Sequence, residues 1–257
     1  MDAILQDLFS LTGRVALITG GNKGLGKAMA LGFARAGGEI ALAGRNPEEL
    51  KQTAEEIQSL TKKPVSIFLA DMGNREEVNR LGQEVLKKMG KVDILINNAG
   101  VNIPQAIDQI VDDSWDLVLE VNLSACMALC RAVVPTMKQN RWGRIIHISS
   151  IFGFVSKEKR NAYSATKSAL IGLTHASALD LADFGITVNC LAPGPFLTDM
   201  PGKILSAQEK AEFARTTAMN RWANPEELVG PALMLASEAG SYITGQVLVV
   251  DGGYLCR

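Results

Sequence analysis

Short, almost continuously apolar runs alternate along this chain with longer amphipathic stretches. Val15–Thr19, 40–43, Val65–Leu69, Ile94–Asn97, 145–149, 186–191 and Val247–Val250 read as strands. Unbroken apolar character, rather than strict alternation, is what a parallel sheet covered on both faces requires. The intervening stretches carry legible helix starts. Asn46 and Asn224 are each followed by proline and two glutamates, a cap, a first-turn proline and carboxylates that suit the helix dipole. Asn74 with Glu77 has the spacing of a capping box. Seven strands with helices between them predict an α/β fold, a Rossmann-type, doubly wound parallel sheet flanked by helices on both faces. No repeat or linker interrupts the pattern, so residues 1–257 are expected to form one domain, with 1–12 as an N-terminal extension. The segment 193–217 breaks the alternation and is long for a connection, which suggests a lid over a substrate site.

Composition narrows the classes of function. Of 257 residues, 47% are apolar, and the charged 21% nearly cancel to a net charge of −1, which gives no reason to expect nucleic acid or a membrane surface as partner. Two histidines and four scattered cysteines, without a Cys-x-x-Cys pair, argue against zinc. Cys126 and Cys130, one helical turn apart, read as small buried apolar residues. No basic region precedes an apolar run at the N-terminus, and no apolar stretch approaches the ~18 residues of a membrane span. A cytoplasmic, reduced protein is expected.

Two motifs carry the chemistry. Thr19-Gly20-Gly21-Asn22-Lys23-Gly24-Leu25-Gly26 follows the first strand and opens a helix. Glycines there permit a tight bend, close approach of a phosphate and close helix packing, while the helix N-terminus offers free N–H groups. The second strand ends at Ala43-Gly44-Arg45. NAD binders usually place a carboxylate near this point; Gly44 has none, whereas Arg45 and Lys23 suit a 2′-phosphate, so NADP(H) is favoured. Asp71, after the third strand, could accept from an adenine amino group or cap the next helix. Tyr163 and Lys167, at i and i+4, share one helix face. An ammonium beside a phenol favours the phenolate and suits proton exchange with an alcohol. Ser150, at the end of the fifth strand, stands where open α/β sheets place ligands, with Ser149 as its competitor on the opposite face.

In this order of motifs the chain resembles the short-chain dehydrogenase/reductase family over nearly its whole length: Thr19 to Gly26, Asp71, Asn97-Asn98-Ala99-Gly100, Asn122, Ser150, Tyr163, Lys167, then Pro193-Gly194 and Thr198. The resemblance implies interconversion of a ketone and a secondary alcohol by hydride transfer. Tyr163 would be the general acid/base, Ser150 would polarise the carbonyl, Lys167 would hold the nicotinamide ribose, and Asn122 would disturb its helix and position a water. It implies that the cofactor lies along Gly20, Asn22, Lys23, Gly24, Leu25, Gly26, Arg45, Asn46, Asp71, Met72, Asn98, Ala99, Gly100, Pro193, Gly194, Phe196 and Thr198. Read alone, Asn122 could be a buried helix amide, Pro193-Gly194-Pro195 a stiff turn, and Thr198 a helix cap.

The substrate pocket is expected to include Asn102, Ser150, Phe152, Arg160, Tyr163 and Met200. The charge run Lys157-Glu158-Lys159-Arg160 could meet a carboxylate or be a solvated loop. Phe9 to Gly13 and Asn220-Arg221-Trp222-Ala223 resemble the gluconate 5-dehydrogenase branch, which points to a keto-sugar acid or similar polar ketone. The alternative is a 3-oxoacyl carrier-protein reductase, for which basic docking residues are expected where this chain has Arg141 and Phe184. A non-catalytic NADPH-sensing protein, or a subunit that activates a paralogue, is more remote. The resemblance also implies a homotetramer through helices near 114–137 and 162–184.

Overall fold

The computed structural model describes residues 3–198 and 206–256, which form one seven-stranded parallel sheet in the order β3-β2-β1-β4-β5-β6-β7. The strands are β1 Val15–Thr19, β2 Glu39–Gly44, β3 Val65–Leu69, β4 Ile94–Asn97, β5 Gly143–Ile148, β6 Ile186–Pro193 and β7 Val247–Val250. Four match the predicted bounds; β5 stops at Ile148, so Ser149 and Ser150 both lie beyond its carboxyl end.

Side-chain alternation divides the sheet between two cores. Ala16, Ile18, Ile40, Leu42, Ile94 and Ile96 face Phe33 of α2 (Gly24–Arg35), Leu50 and Ile57 of α3 (Pro47–Thr61) and Leu235 of α9 (Val229–Ala236). The residues between them, Leu17, Ala41, Ala43 and Leu95, face Val78 and Leu81 of α4 (Arg75–Met89), Leu129 and Val133 of α6 (Ala125–Asn140) and Leu181 of α7 (Asn161–Leu181). Burial on both faces is the reason these strands read as unbroken apolar runs.

The remaining helices are α1 (Ala3–Phe9), α5 (Asp112–Leu119) and α8 (Ala207–Arg215). Asn46 caps α3, its carboxamide oxygen accepting from the Glu48 and Glu49 amides. Asn74 caps α4 in the same way, but the predicted capping box does not close. Glu77 turns instead to the Asp71 amide, at 2.8 Å, because Asn74 N–H is already taken by the Asp71 carbonyl. Beyond Asn224 the chain first makes a 3-10 turn, Pro225–Leu228, before α9.

Helices α5 and α6 join through a π turn at Glu120–Ser124. The resulting run of 29 residues, Asp112–Asn140, contains a window with mean hydropathy 1.8. By length and composition alone it could cross a membrane, a test that a buried core helix also passes. In this fold 44% of that window is buried, packed on the second core.

Strand order reverses between β1 and β4, the two strands that leave toward opposite sides of the sheet. A crevice opens at such a point, outside the strand carboxyl ends.

Candidate active site

That crevice is a cleft of about 780 Å³. One end is formed by the turn after β1. Gly20 and Gly24 adopt left-handed backbone, with φ of +62° and +53°. A Cβ at Gly26 would collide with the Gly20 carbonyl oxygen, so only glycine lets α2 pack this close. Gly26 accordingly lies behind the cleft, while Gly20, Asn22, Lys23, Gly24 and Leu25 line it. Helix α2 opens with no side-chain cap at Lys23 and no acidic residue in its first turn, leaving its first N–H groups directed at the cleft mouth. Asn98 ties this turn to β4: its side chain donates to the Thr19 carbonyl at 2.8 Å and the Gly20 carbonyl at 3.2 Å.

Arg45, Asn46, Asp71 and Met72 line the same end. Here the structure adds what spacing alone did not reveal. Arg45 is paired with Asp71 at 3.6 Å, and Lys23 with Glu49 at 3.8 Å. Glu49 also accepts from the Asn22 side chain. Both cations expected to attract a 2′-phosphate therefore stand beside carboxylates, one from the first turn of α3 and one from the loop after β3. Asp71 does not cap α4. It accepts from the Gly73 amide at 2.8 Å and keeps its other oxygen toward Arg45.

At the opposite end, β5 and α7 bring Ser150, Tyr163 and Lys167 to the cleft wall. Lys167 is 4% exposed; its Nζ donates to the Ile148 carbonyl at 2.7 Å and lies 5.5 Å from the Tyr163 ring centroid. Ser150 Oγ accepts from the Phe152 amide at 3.1 Å, which leaves its proton free for another acceptor. Ser149 is spent structurally, donating to the Lys167 carbonyl at 2.8 Å. The Phe152 ring meets Tyr163 edge to face, at 6.4 Å between centroids.

Asn122 does not line the cleft. It sits fully buried in the π turn. Its amide closes a two-bond ring with the Val101 backbone, 2.8 Å and 2.9 Å, and donates to Thr166 Oγ1 at 3.1 Å. Thr166 Oγ1 in turn donates to the Tyr163 carbonyl at 2.8 Å. One buried carboxamide thus locks the segment after β4 to the first turns of α7, and the reading of a merely buried amide at a helix end understates it.

Ala99, Gly100, Pro193, Gly194, Phe196 and Thr198 line the cleft between its two ends. A Cβ at Gly24 would sit 3.3 Å from Thr198 Cγ2, so Thr198 hangs over the glycine turn. Ser206 caps α8, accepting from the Glu209 amide at 3.2 Å. Asn102 and Arg160 line the substrate end; Met200 lies outside the described residues. Phe213 and Trp222 also line the cleft, and their rings pack 5.5 Å apart. Phe213 was missed by sequence reading, since a phenylalanine on an amphipathic helix carries no signal of its own.

Behind the site lies a buried polar group. His147 is fully buried and held against Asn97, with 3.1 Å between Nδ1 and the carboxamide nitrogen. Burial, followed by the nearby Lys167 charge, pushes its pKa down to about 4, so this imidazole is neutral. Burial raises the Cys126 and Cys130 thiols to about 12. Among the described residues, no group of three or more His, Cys, Asp or Glu side chains is disposed to hold a metal.

A family model for short chain dehydrogenases matches residues 14–209. Gluconate 5-dehydrogenase of Gluconobacter oxydans is 37% identical over 96% of this chain and 96% of its own. The 3-oxoacyl-[acyl-carrier-protein] reductase of Chlamydia muridarum is 36% identical over 95% of this chain and 98% of its own. The crystal structure of a putative NAD(P) dependent gluconate 5-dehydrogenase from Beutenbergia cavernae, with bound NADP, superposes with a TM-score of 0.92 at 38% identity, covering 97% of this chain and 99% of the other. The family model spans most of the chain and these relatives match it nearly end to end, so the chain belongs to the short-chain dehydrogenase family of oxidoreductases.

Proposed function

We propose that this protein is an NADP(H)-dependent oxidoreductase that interconverts a ketone and a secondary alcohol. The observation that carries the reading is the span of a single cleft: an uncapped glycine turn at one end and Ser150, Tyr163 and Lys167 at the other. The left-handed Gly20 and Gly24 and the free first turn of α2 fit a diphosphate. Arg45 and Lys23, although each has a carboxylate neighbour, lie where a 2′-phosphate would be held. When bound, the nicotinamide supplies or accepts a hydride.

The chain's own residues do the rest. Ser150 donates a hydrogen bond to the carbonyl oxygen, and Tyr163 gives that oxygen its proton in reduction and removes it in oxidation. Lys167, its ammonium fixed on the Ile148 carbonyl, stabilises negative charge developing on the phenol oxygen. Asn122 is a positioning residue, because it holds Thr166 and hence the turn of α7 that carries Tyr163. Phe213 and Trp222, in 193–217 and just after it, close the substrate end as part of a lid.

The substrate we infer is a keto-sugar acid or a similar polar ketone, supported by the likeness to gluconate 5-dehydrogenases. An NADPH-oxidation screen over keto-sugar acids, neutral ketoses and 3-oxoacyl thioesters tests it. Turnover of the keto acids is expected; NADPH binding with no turnover of any ketone would favour a non-catalytic sensor. A 3-oxoacyl carrier-protein reductase is the second reading, supported by the Chlamydia relative and by the basic Arg141. It is weakened by Phe184, although Lys138 lies 4.2 Å over that ring. Self-association as a homotetramer is part of the proposal: Leu179 of α7 is 85% exposed, and light scattering reads the mass.

A further inference from the structure

The charge run 157–160 resolves into two unlike parts. Lys157, Glu158 and Lys159 are exposed, as a solvated loop requires. Arg160 is not. Lys159 adopts a left-handed conformation, φ +65°, and the chain there pairs with the segment after β4: Gln105 N–H donates to the Lys159 carbonyl at 3.0 Å, and the Asn161 side chain donates to the Gln105 carbonyl at 2.9 Å. This turn carries Arg160 inward to the cleft wall beside Tyr163. Its Nε and Nη1 atoms are buried and have no hydrogen-bond partner among the described residues. Asn102, on the opposing segment, lines the same cleft with a buried, unpartnered carboxamide oxygen.

Burying Nε and Nη1 of a partly buried guanidinium without hydrogen bonds is costly unless a ligand completes them. Helix α7, which starts at the next residue, has no side-chain cap and no acidic residue in its first turn, so no local anion compensates the charge. The cost of desolvation is visible in the guanidinium's lowered pKa. We propose that Arg160 binds the carboxylate of the substrate and that the Asn102 carboxamide oxygen accepts a hydroxyl proton from the same molecule. The site thereby selects hydroxylated keto acids over neutral ketoses of equal length. A planar guanidinium matches a carboxylate with two parallel hydrogen bonds. This inference rests on the redox reading above for the identity of the cleft, but it concerns recognition, which binding measures without turnover.

The test is calorimetric titration of the protein with sodium gluconate and with glucitol, the neutral polyol of the same chain length. Gluconate is expected to bind more tightly than glucitol. In Arg160→Gln its affinity should fall about tenfold to a hundredfold, as expected for loss of a charge-assisted pair, and Arg160→Lys should recover part of it. Asn102→Asp, which brings a carboxylate against the ligand's own, should weaken gluconate while Arg160 stays in place, and it carries the test if the glutamine variant does not fold. Equal affinity for gluconate and glucitol, or unchanged gluconate affinity in the Arg160 and Asn102 variants, overturns the proposal. Failure of the redox reading looks different: gluconate binds and depends on Arg160, yet no ketone oxidises NADPH. Where ketones do turn over, the ratio of kcat/KM for a keto acid to that for its neutral ketose should drop in Arg160→Gln chiefly through KM; an unchanged ratio sinks the assignment.

Discussion

The two ends of the sheet treat their polar groups in opposite ways. At the amino end, Asp93 is 2% exposed, yet it accepts from the Val15 amide at 2.8 Å and pairs with Lys91 at 2.9 Å and Arg14 at 3.8 Å. Arg144 is equally enclosed, bonded to the Gly143, Gly185 and Ser237 carbonyls and to Glu238. Trp142 lies between the Arg14 and Arg144 guanidiniums, at 3.6 Å and 4.3 Å, and donates to Glu238 at 2.7 Å. At the carboxyl end, α2 begins uncapped, Ser150 keeps its proton free, and Arg160 and Asn102 have unmade bonds. The Asp93 and Arg144 networks are closed, with Thr187 Oγ1 beside Arg144 the exception, whereas the groups facing the cleft are open. Capacity to bind is stored as hydrogen bonds that folding does not complete.

This contrast is sharpened by substitutions that ought to separate catalysis from stability. Tyr163→Phe should lower kcat about a thousandfold, within the range of a lost general acid, while NADPH titration and the unfolding midpoint stay near those of the parent; a near-native rate would remove Tyr163 from the chemistry. Asp93→Ala should do the reverse. It strands the Val15 amide and removes one partner of Lys91 and Arg14, which keep the Gly13 carbonyl and Glu238, so urea unfolding should show a loss of about 1–3 kcal/mol, with kcat per folded molecule retained. If Asp93→Ala costs nothing, the amino-end network is ornamental.

Arg45→Asp probes the cofactor end. It replaces a cation by an anion beside Asp71, and the ratio of NADPH to NADH affinity should fall about tenfold to a hundredfold. Fluorescence titration with both dinucleotides reads the ratio, and no change would mean that Asp71 already neutralises Arg45. A pH-dependent effect comes from the core between the two ends. His147 is held neutral down to about pH 4, whereas the unfolded imidazole takes up a proton near pH 6.5. Between those values the unfolded state binds the extra proton, so stability is lost as pH falls, by about 1.4 kcal/mol per pH unit. Subtracting the same urea series for His147→Gln isolates that slope; identical pH profiles would show that His147 does not contribute it.

Much of this was legible because the signals are local. Apolar runs located every strand, since the central strands meet a helix layer on both faces and the edge strands β3 and β7 are partly buried. The glycine turn, Tyr163 and Lys167 declare themselves over eight and five consecutive residues, spans in which chain geometry fixes relative position. Asn122 could be named from its place in the family's motif order, but not its two-bond ring with Val101, because the π turn that aims it is set by packing on neighbouring helices.

What amino-acid order determined by itself was a parallel sheet covered by helices and the positions of the glycine turn, Tyr163 and Lys167 along it; the strand order came from the fold. Only the tertiary structure decided which charges meet: Glu49 with Lys23, Asp71 with Arg45, and Arg160 with its Nε and Nη1 left without a hydrogen-bond partner among the described residues. Those outcomes depend on contacts between segments 26 or more residues apart for the first two pairs, and on a single left-handed residue, Lys159, for the third. Electrostatics is a property of distance in space, and periodicity along a chain carries no record of it.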